Sequence, residues 1–216
     1  ELRTAAHVGG DYYDFLSHSP QELTFAVGDV CNKGVSAALI MAVLRKVLRT
    51  GMKLLDRPSP KDILAYANSD MYEELSSAAM FATSFVGQYD VANRVLHYVN
   101  AGHSPVIYCP AGGPAQMLRA DNVPLGVFRQ STFIEQELHL GVGDLLVVAT
   151  DGLVEAVDPT AAPLGYTRLL QFIEQTRGQP VQFIANELFK TVDYFTGNRL
   201  DDDQTLFVMR VRDSAD

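Results

Sequence analysis

Four aspartates stand where apolar runs begin or end. They are Asp11 in His7-Val8-Gly9-Gly10-Asp11-Tyr12-Tyr13-Asp14, Asp29 in Ala26-Val27-Gly28-Asp29-Val30, Asp151 in Val148-Ala149-Thr150-Asp151-Gly152, and Asp202 in Asp201-Asp202-Asp203-Gln204-Thr205. A carboxylate at the end of a buried strand is costly unless it is paired or bound to a cation. Four of them brought together would make an all-oxygen cage suited to a divalent metal. Neighbouring glycines would let backbone carbonyls approach such a cation closely. Each aspartate alone is ordinary: Asp-Gly is a common turn dipeptide, and Asp201–Asp203 reads equally as a solvated acidic loop. Their joint placement against strands carries the reading.

The elements that must position them follow from the pattern of apolar residues. Asp11–Leu16 and Leu23–Val30 read as strands joined by the polar turn Ser17–Gln21. Val35–Leu48 is apolar on nearly every side at first, which predicts a deeply packed helix whose wetter end carries Arg45, Lys46 and Arg49. Arg57-Pro58 breaks the pattern. Ser59-Pro60-Lys61-Asp62 then opens a second helix, with Ser as N-cap and Pro at the first helical position. Ile63, Ala67, Met71 and Leu75 give it a buried stripe, and the two helices are expected to pack as a pair. Ala82–Tyr89 and Val95–Asn100 form a predicted hairpin, followed by strands at Val106–Tyr108, Phe133–Leu138 and Leu145–Ala149. Gly112-Gly113-Pro114 and Gly141–Asp144 read as turns. Helices are expected over Tyr166–Thr176 and Pro180–Phe195, with a last strand at Leu206–Val211.

The bulk numbers set bounds. The chain has 216 residues, is 47% hydrophobic and 20% charged, and carries a formal net charge of -9. A sizeable core can be buried. No Lys/Arg cluster stands out, so a nucleic-acid surface is not expected. Cys31 and Cys109 match no zinc spacing and suit a reducing, cytoplasmic setting. No apolar run reaches the ~18 residues of a membrane span, and no signal peptide is evident. The expectation is a single domain over residues 1–216, excised from a longer regulatory protein.

A set of motifs in order along the chain completes the reading. Val8-Gly9-Gly10-Asp11-Tyr12-Tyr13-Asp14-Phe15 is followed by Gly28-Asp29-Val30, Lys33-Gly34-Val35 and Ala37-Ala38-Leu39. Then come Met80-Phe81-Ala82-Thr83, Asn100-Ala101-Gly102-His103, Pro124-Leu125-Gly126, Gly143-Asp144, Thr150-Asp151-Gly152-Leu153 with Glu155-Ala156, and Asp202-Asp203-Gln204-Thr205. Taken in this order, the chain resembles the metal-dependent protein phosphatases of the type 2C-like (PPM) superfamily. More narrowly, it resembles the bacterial SpoIIE-like branch that regulates sporulation and stress sigma factors.

The resemblance implies an α+β fold, a four-layer αββα sandwich of two antiparallel β-sheets flanked by helices. It implies two Mn²⁺ or Mg²⁺ ions, with Asp29 bridging both and the Val30 carbonyl holding one. Asp11 would bind the first ion, Asp151 and Asp202 the second. It further implies hydrolysis of phosphoserine or phosphothreonine by a metal-bridging water, which needs no Ser/His or Cys/His nucleophile. The implied substrate is a phosphorylated anti-sigma-factor antagonist, and the implied partner in cis is an upstream sensor or receiver domain. A homodimer is left open.

For Asp14 a metal role and a hydrogen-bonding role are both open. Lys33 reads either as an anion contact or as a solvated turn residue. His103 reads as a phosphate contact or as a loop-shaping residue, the second being favoured, and Asp203 has the same two readings. Asn32 stands where the family usually has Gly, a place Asn can fill in left-handed geometry. Cys31 is expected to serve only as a small residue. The phosphate-binding Arg of the eukaryotic relatives has no clear match, since Arg3 is misplaced. The rival reading is a catalytically silent regulatory module that binds a partner protein. A phosphatase with an Asp nucleophile is set aside, because Thr150-Asp151-Gly152-Leu153 supplies one Asp where Asp-x-Asp is needed.

Overall fold

A computed structural model describes residues 1–54 and 58–213, which form two compact units. The strands are β1 (Leu2–Arg3), β2 (Asp11–Ser19), β3 (Glu22–Val30), β4 (Ala82–Asp90), β5 (Val95–Ala101), β6 (Val106–Cys109), β7 (Gln116–Leu118), β8 (Gln136–His139), β9 (Leu145–Ala149) and β10 (Gln204–Arg210). The helices are α1 (Val35–Leu54), α2 (Pro60–Ser77), α3 (Asp151–Val154), α4 (Gly165–Thr176) and α5 (Val181–Thr196). Two antiparallel five-stranded sheets and five helices make the chain α+β.

One unit comprises His7–His103 and Ala120–His139 and holds the sheet β2-β3-β4-β5-β8. Side chains alternate across a strand. Tyr12 on β2, Ala26 and Val30 on β3, Val86 on β4 and Val99 on β5 therefore share one face. There they pack with Leu44, Leu48 and Met52 of α1 and with Ile63, Ala67, Met71 and Leu75 of α2. The opposite face carries a ring stack, Phe25 to Phe85 at 6.0 Å and Phe85 to Tyr98 at 5.4 Å between centroids. The start of α2 is built as its sequence predicts: the Ser59 N–H and hydroxyl both donate to the Asp62 carboxylate, at 3.1 and 2.6 Å. Those bonds hold the Asp62 carboxyl below the usual carboxylate range.

The other unit comprises Glu1–Ala6, Ser104–Arg119 and Leu140–Asp216 and holds the sheet β1-β10-β9-β6-β7. Ile107, Val147, Leu153, Leu169, Ile173, Leu188, Phe189 and Leu206 form its core against α3, α4 and α5. The two-residue strand β1 is fixed by Arg3, whose guanidinium sits 3.0 Å from Asp193 and 4.1 Å from the centre of the Phe189 ring. The turn at Gly141–Asp144 is tied by the buried Asp144 carboxylate, which accepts from the Gly141 and Ala111 N–H groups and from the Tyr108 hydroxyl at 2.7–2.8 Å.

Several expectations are corrected. The start of α1 is not deeply packed: Val35, Leu39 and Val43 are 67%, 65% and 50% exposed, while burial concentrates at Leu44, Val47, Leu48, Gly51 and Met52. A run that is apolar all round cannot show which of its faces meets the core. The predicted Phe133–Leu138 strand begins only at Gln136, with Phe133 buried as a loop residue. Asp151-Gly152, a dipeptide common in turns, instead opens the one-turn helix α3. Strands β1 and β7 are two and three residues long, too short to leave an alternation signal. Arg57 of the Arg57-Pro58 break lies outside the described residues.

Candidate functional site

Asp11 and Asp29 lie directly opposite each other in the ladder between β2 and β3. On the other side of Asp29, β4 places Thr83 opposite it. Residues opposite each other in a ladder project to the same face. Asp11, Asp29 and Thr83 therefore form a row across three adjacent strands at one end of the sheet. Asp11 is buried and Asp29 half-buried.

The backbone brings further oxygen to this row. A Cβ placed on Gly10 would lie 2.6 Å from the Val30 carbonyl oxygen and 2.7 Å from Asp29 Oδ1. The Val30 N–H in turn donates to the Gly10 carbonyl at 3.2 Å. Only a glycine leaves this hollow open, and a carboxylate and a carbonyl converge on it. A donor set made of carboxylate and carbonyl oxygen suits Mg²⁺ or Mn²⁺ in place of softer metals. After Val30 the chain turns through Asn32 at φ 72° and Gly34 at φ 84°. Asn32 thus occupies the left-handed geometry that made its presence tolerable. The Cys31 N–H donates to the Phe81 carbonyl at 3.0 Å and its sulfur accepts from the Phe81 N–H, a seat for a small residue.

Tyr12 backs the row from the helix-covered face, its hydroxyl donating to the Thr83 carbonyl at 3.1 Å. Burial, opposed by a hydrogen bond with Ser84 and reinforced by the charges of Asp29 and Asp11, raises its hydroxyl well above the ordinary tyrosine range. Asp14 lies three residues beyond Asp11 and so projects to the face opposite to it. It is buried and pairs with Arg49 and, at 3.5 Å, with Arg45, both on α1. Its observed role is to fasten α1 to β2.

His103 is 3% exposed. Its Nδ1 shares a hydrogen bond of 3.0 Å with the Thr83 hydroxyl, and its backbone N–H donates to Asn100 Oδ1 at 2.8 Å. Lys33 is exposed.

The other unit holds the second pair of acids. Asp151 is the first residue of α3, directly after β9, and Asp202 lies in the loop before β10. Gly152 brings them together: a Cβ on it would meet the Asp203 carbonyl oxygen at 2.0 Å and Asp202 Cβ at 3.1 Å. The Thr150 N–H donates to the Thr205 carbonyl at 3.1 Å, the Thr205 N–H to the Thr150 hydroxyl at 2.9 Å, and the Gln204 amide to the Gly152 carbonyl at 3.2 Å. Asp203 accepts the Ala5 N–H at 2.8 Å, which ties the acidic loop to the strand end beyond β1. Among the described residues, no group of three or more His, Cys, Asp or Glu side chains stands together to hold a metal. Each unit, taken by itself, holds one pair of these acids.

Reading the sequence gave no role to Thr83, Tyr12 or Asn100, although all three lie in motifs singled out there. A hydroxyl in the apolar run Phe81-Ala82-Thr83 was the available signal for Thr83.

The model of the family described as Stage II sporulation protein E (SpoIIE) matches residues 19–212, a stretch that includes Asp29, Asp151 and Asp202 and begins after Asp11. The phosphoserine phosphatase RsbU of Bacillus subtilis is 27% identical over 95% of this chain and 60% of its own length. Across the curated relatives it matches, the chain spans between 24% and 60% of their length. Among solved structures, the SiaA-PP2C domain of Pseudomonas aeruginosa superimposes with a TM-score of 0.88 at 21% identity, covering 97% of this chain and 84% of that one. RsbX in complex with magnesium gives 0.72 at 18% identity, over 96% of this chain and 91% of that one. These two likenesses bear on the fold alone. No helix among the described residues is long and apolar enough to cross a membrane. With a family model that spans nearly the whole chain, the chain belongs to the family described as Stage II sporulation protein E (SpoIIE).

Proposed function

We propose that residues 1–216 act as one catalytic domain, a Mn²⁺- or Mg²⁺-dependent protein serine/threonine phosphatase. Its substrate would be a phosphoserine or phosphothreonine on an anti-sigma-factor antagonist, in the cytoplasm, under the control of a sensor or receiver domain elsewhere in a longer protein. The observation that carries the reading is the hollow at Gly10, where the Asp29 carboxylate and the Val30 carbonyl converge beside Asp11 in a chain of this family. The name of RsbU, a phosphoserine phosphatase, supports the substrate class. The magnesium bound by RsbX supports the choice of cation.

Asp11, Asp29 and the Val30 carbonyl, with Asp151 and Asp202, would hold two divalent cations. When bound, these supply Lewis-acid charge to phosphoryl oxygens and make water a better nucleophile at neutral pH. The chain's own work is placement. The β2–β3 ladder holds Asp11 and Asp29 in fixed register, and Gly10 keeps the hollow free of side-chain atoms. Thr150 and Gln204 lock the Asp151 turn onto the strand that follows Asp202. Lys33 is exposed and lies close to Asp29 in sequence, where it would be an anion contact.

The silent-module reading has one observation in its favour. Arg3, the nearest arginine to the first motif, is engaged with Asp193 and Phe189, so it does not serve as a phosphate-binding group. Hydrolysis of an aryl phosphate with Mn²⁺, with Mg²⁺ and with chelator separates the two readings. The phosphatase reading expects turnover that requires metal and falls to background in Asp29→Asn. Neither turnover nor metal binding by calorimetry would leave the silent module.

A further inference from the structure

The row that carries Asp11 and Asp29 does not stop at those residues. Thr83, opposite Asp29 on β4, uses its hydroxyl as a junction. The Asp29 N–H donates to Thr83 Oγ1 at 3.3 Å, and the Asp29 carbonyl lies 3.5 Å from the same oxygen. On its far side that oxygen shares the 3.0 Å hydrogen bond with His103 Nδ1. His103 is in turn seated by the buried Asn100 through its backbone N–H. The Thr83 carbonyl accepts from the Tyr12 hydroxyl. Three strands and the loop after β5 thus meet at one threonine, whose side chain faces the metal-binding row.

From this we propose that Thr83 is a positioning residue: its hydroxyl, held by His103, fixes the Asp29 backbone so that the carboxylate and the neighbouring Val30 carbonyl converge at Gly10. The inference rests on the metal reading of that hollow and gives the Thr83 and His103 motifs a task. Backbone placement matters here because one of the two converging oxygens is a main-chain carbonyl, which no rotamer change can re-aim. Partners one shell away from a metal commonly set its affinity by about 10- to 100-fold. Valine keeps the shape without the oxygen, and serine keeps the oxygen without the methyl.

The test compares wild type, Thr83→Val, Thr83→Ser and Asp29→Asn. Mn²⁺ alone is the titrant in calorimetry, and exchange of the Asp29 amide hydrogen is followed in chelator. Thr83→Val is expected to weaken Mn²⁺ binding at least about tenfold and to speed Asp29 amide exchange by about tenfold, the worth of one hydrogen bond. Thr83→Ser restores both. A Thr83→Val protein with wild-type Mn²⁺ affinity and wild-type exchange overturns the positioning role while leaving the metal site intact. Loss in Thr83→Val that Thr83→Ser fails to rescue also overturns it, because packing would then be the cause. Wild type that binds no Mn²⁺, or binds it as well as Asp29→Asn does, removes the metal reading and this inference with it.

Discussion

Asp11 and Asp29 face each other across a continuous ladder, whereas Asp151 and Asp202 both sit where regular structure has just stopped or is about to start. The first pair is set by register. A slip of one residue between β2 and β3 would send one acid to the helix-covered face, so the apolar pattern that fixes the register also fixes the pair. The second pair is set by connections: a one-turn helix, the acidic loop Asp201–Asp203 and the contact of Gly152 with Asp203. Strand-built geometry resists local change and fails globally. Connection-built geometry depends on a few bonds to the first residues of β10.

The sharpest way to break this contrast is to crowd each pair with one methyl group. Gly28→Ala would put Cβ 2.1 Å from the Thr83 carbonyl oxygen and 2.5 Å from the Tyr12 hydroxyl, inside the ladder. Its cost is expected at about 3 kcal/mol or more in urea denaturation, the upper end for overpacking. Gly152→Ala meets the Asp203 carbonyl at 2.0 Å, in the loop that leads into β10. Its expected cost is about 1 kcal/mol, with metal affinity falling out of proportion to stability. Equal destabilisation by the two substitutions would erase the distinction.

A second comparison sits within β2. Asp11 serves the candidate site, and Asp14, on the opposite face, serves α1. Asp14→Asn removes the charge that Arg49 and Arg45 answer and is expected to cost about 2 kcal/mol of stability, the scale of hydrogen bonds to charged groups. Metal affinity should stay near that of wild type, as calorimetry would show. If Mn²⁺ binding disappears with the fold unchanged, Asp14 belongs to the site after all. Ser59→Ala, which removes the cap of α2, should lower stability by about 1 kcal/mol and leave the catalytic rate untouched.

The smallest expected effect concerns alkaline pH in the connection-built unit. Burial, with the Asp144 carboxylate hydrogen-bonded to it, pushes the Tyr108 hydroxyl up to about 12. The folded state therefore keeps a proton that the unfolded chain releases near pH 10, so stability falls as pH rises from about 10 towards 12. Tyr108→Phe should flatten that part of the stability profile. An unchanged slope would assign it to other groups.

Much of this was legible in the sequence, for identifiable reasons. Leu145–Ala149 coincides with its predicted strand because five apolar residues between turn signals admit little else. The stripe Ile63, Ala67, Met71 and Leu75 is buried throughout, since only one face of α2 is apolar. The N-terminal half of α1 misled because an all-round apolar run carries no directional information. Asp14 stayed ambiguous because its partners, Arg45 and Arg49, lie more than thirty residues away, and only the packing of α1 on β2 brings them near. Thr83 was invisible as a junction for the same reason: its bonds reach to β3 and to the loop after β5, and nothing local announces them.

The strand order carries a consequence for how the chain is made. In the sheet β2-β3-β4-β5-β8, the first four neighbours in space are also consecutive strands in sequence. Once Ala101 has been synthesised, the ladder that opposes Asp11 and Asp29 is complete on both sides. The sheet β1-β10-β9-β6-β7 must instead wait for its second strand, β10, which is the last to be made and pairs with the first. Long-range pairing of this kind is slow, because loop closure must precede the contacts that reward it. A nascent chain therefore owns one acid pair from the time Ala101 is made until Asp202 is added, as domains assemble from the N-terminal side during translation. A ribosome stalled ahead of Asp202 would hold a polypeptide with the first pair in register and the second unfinished.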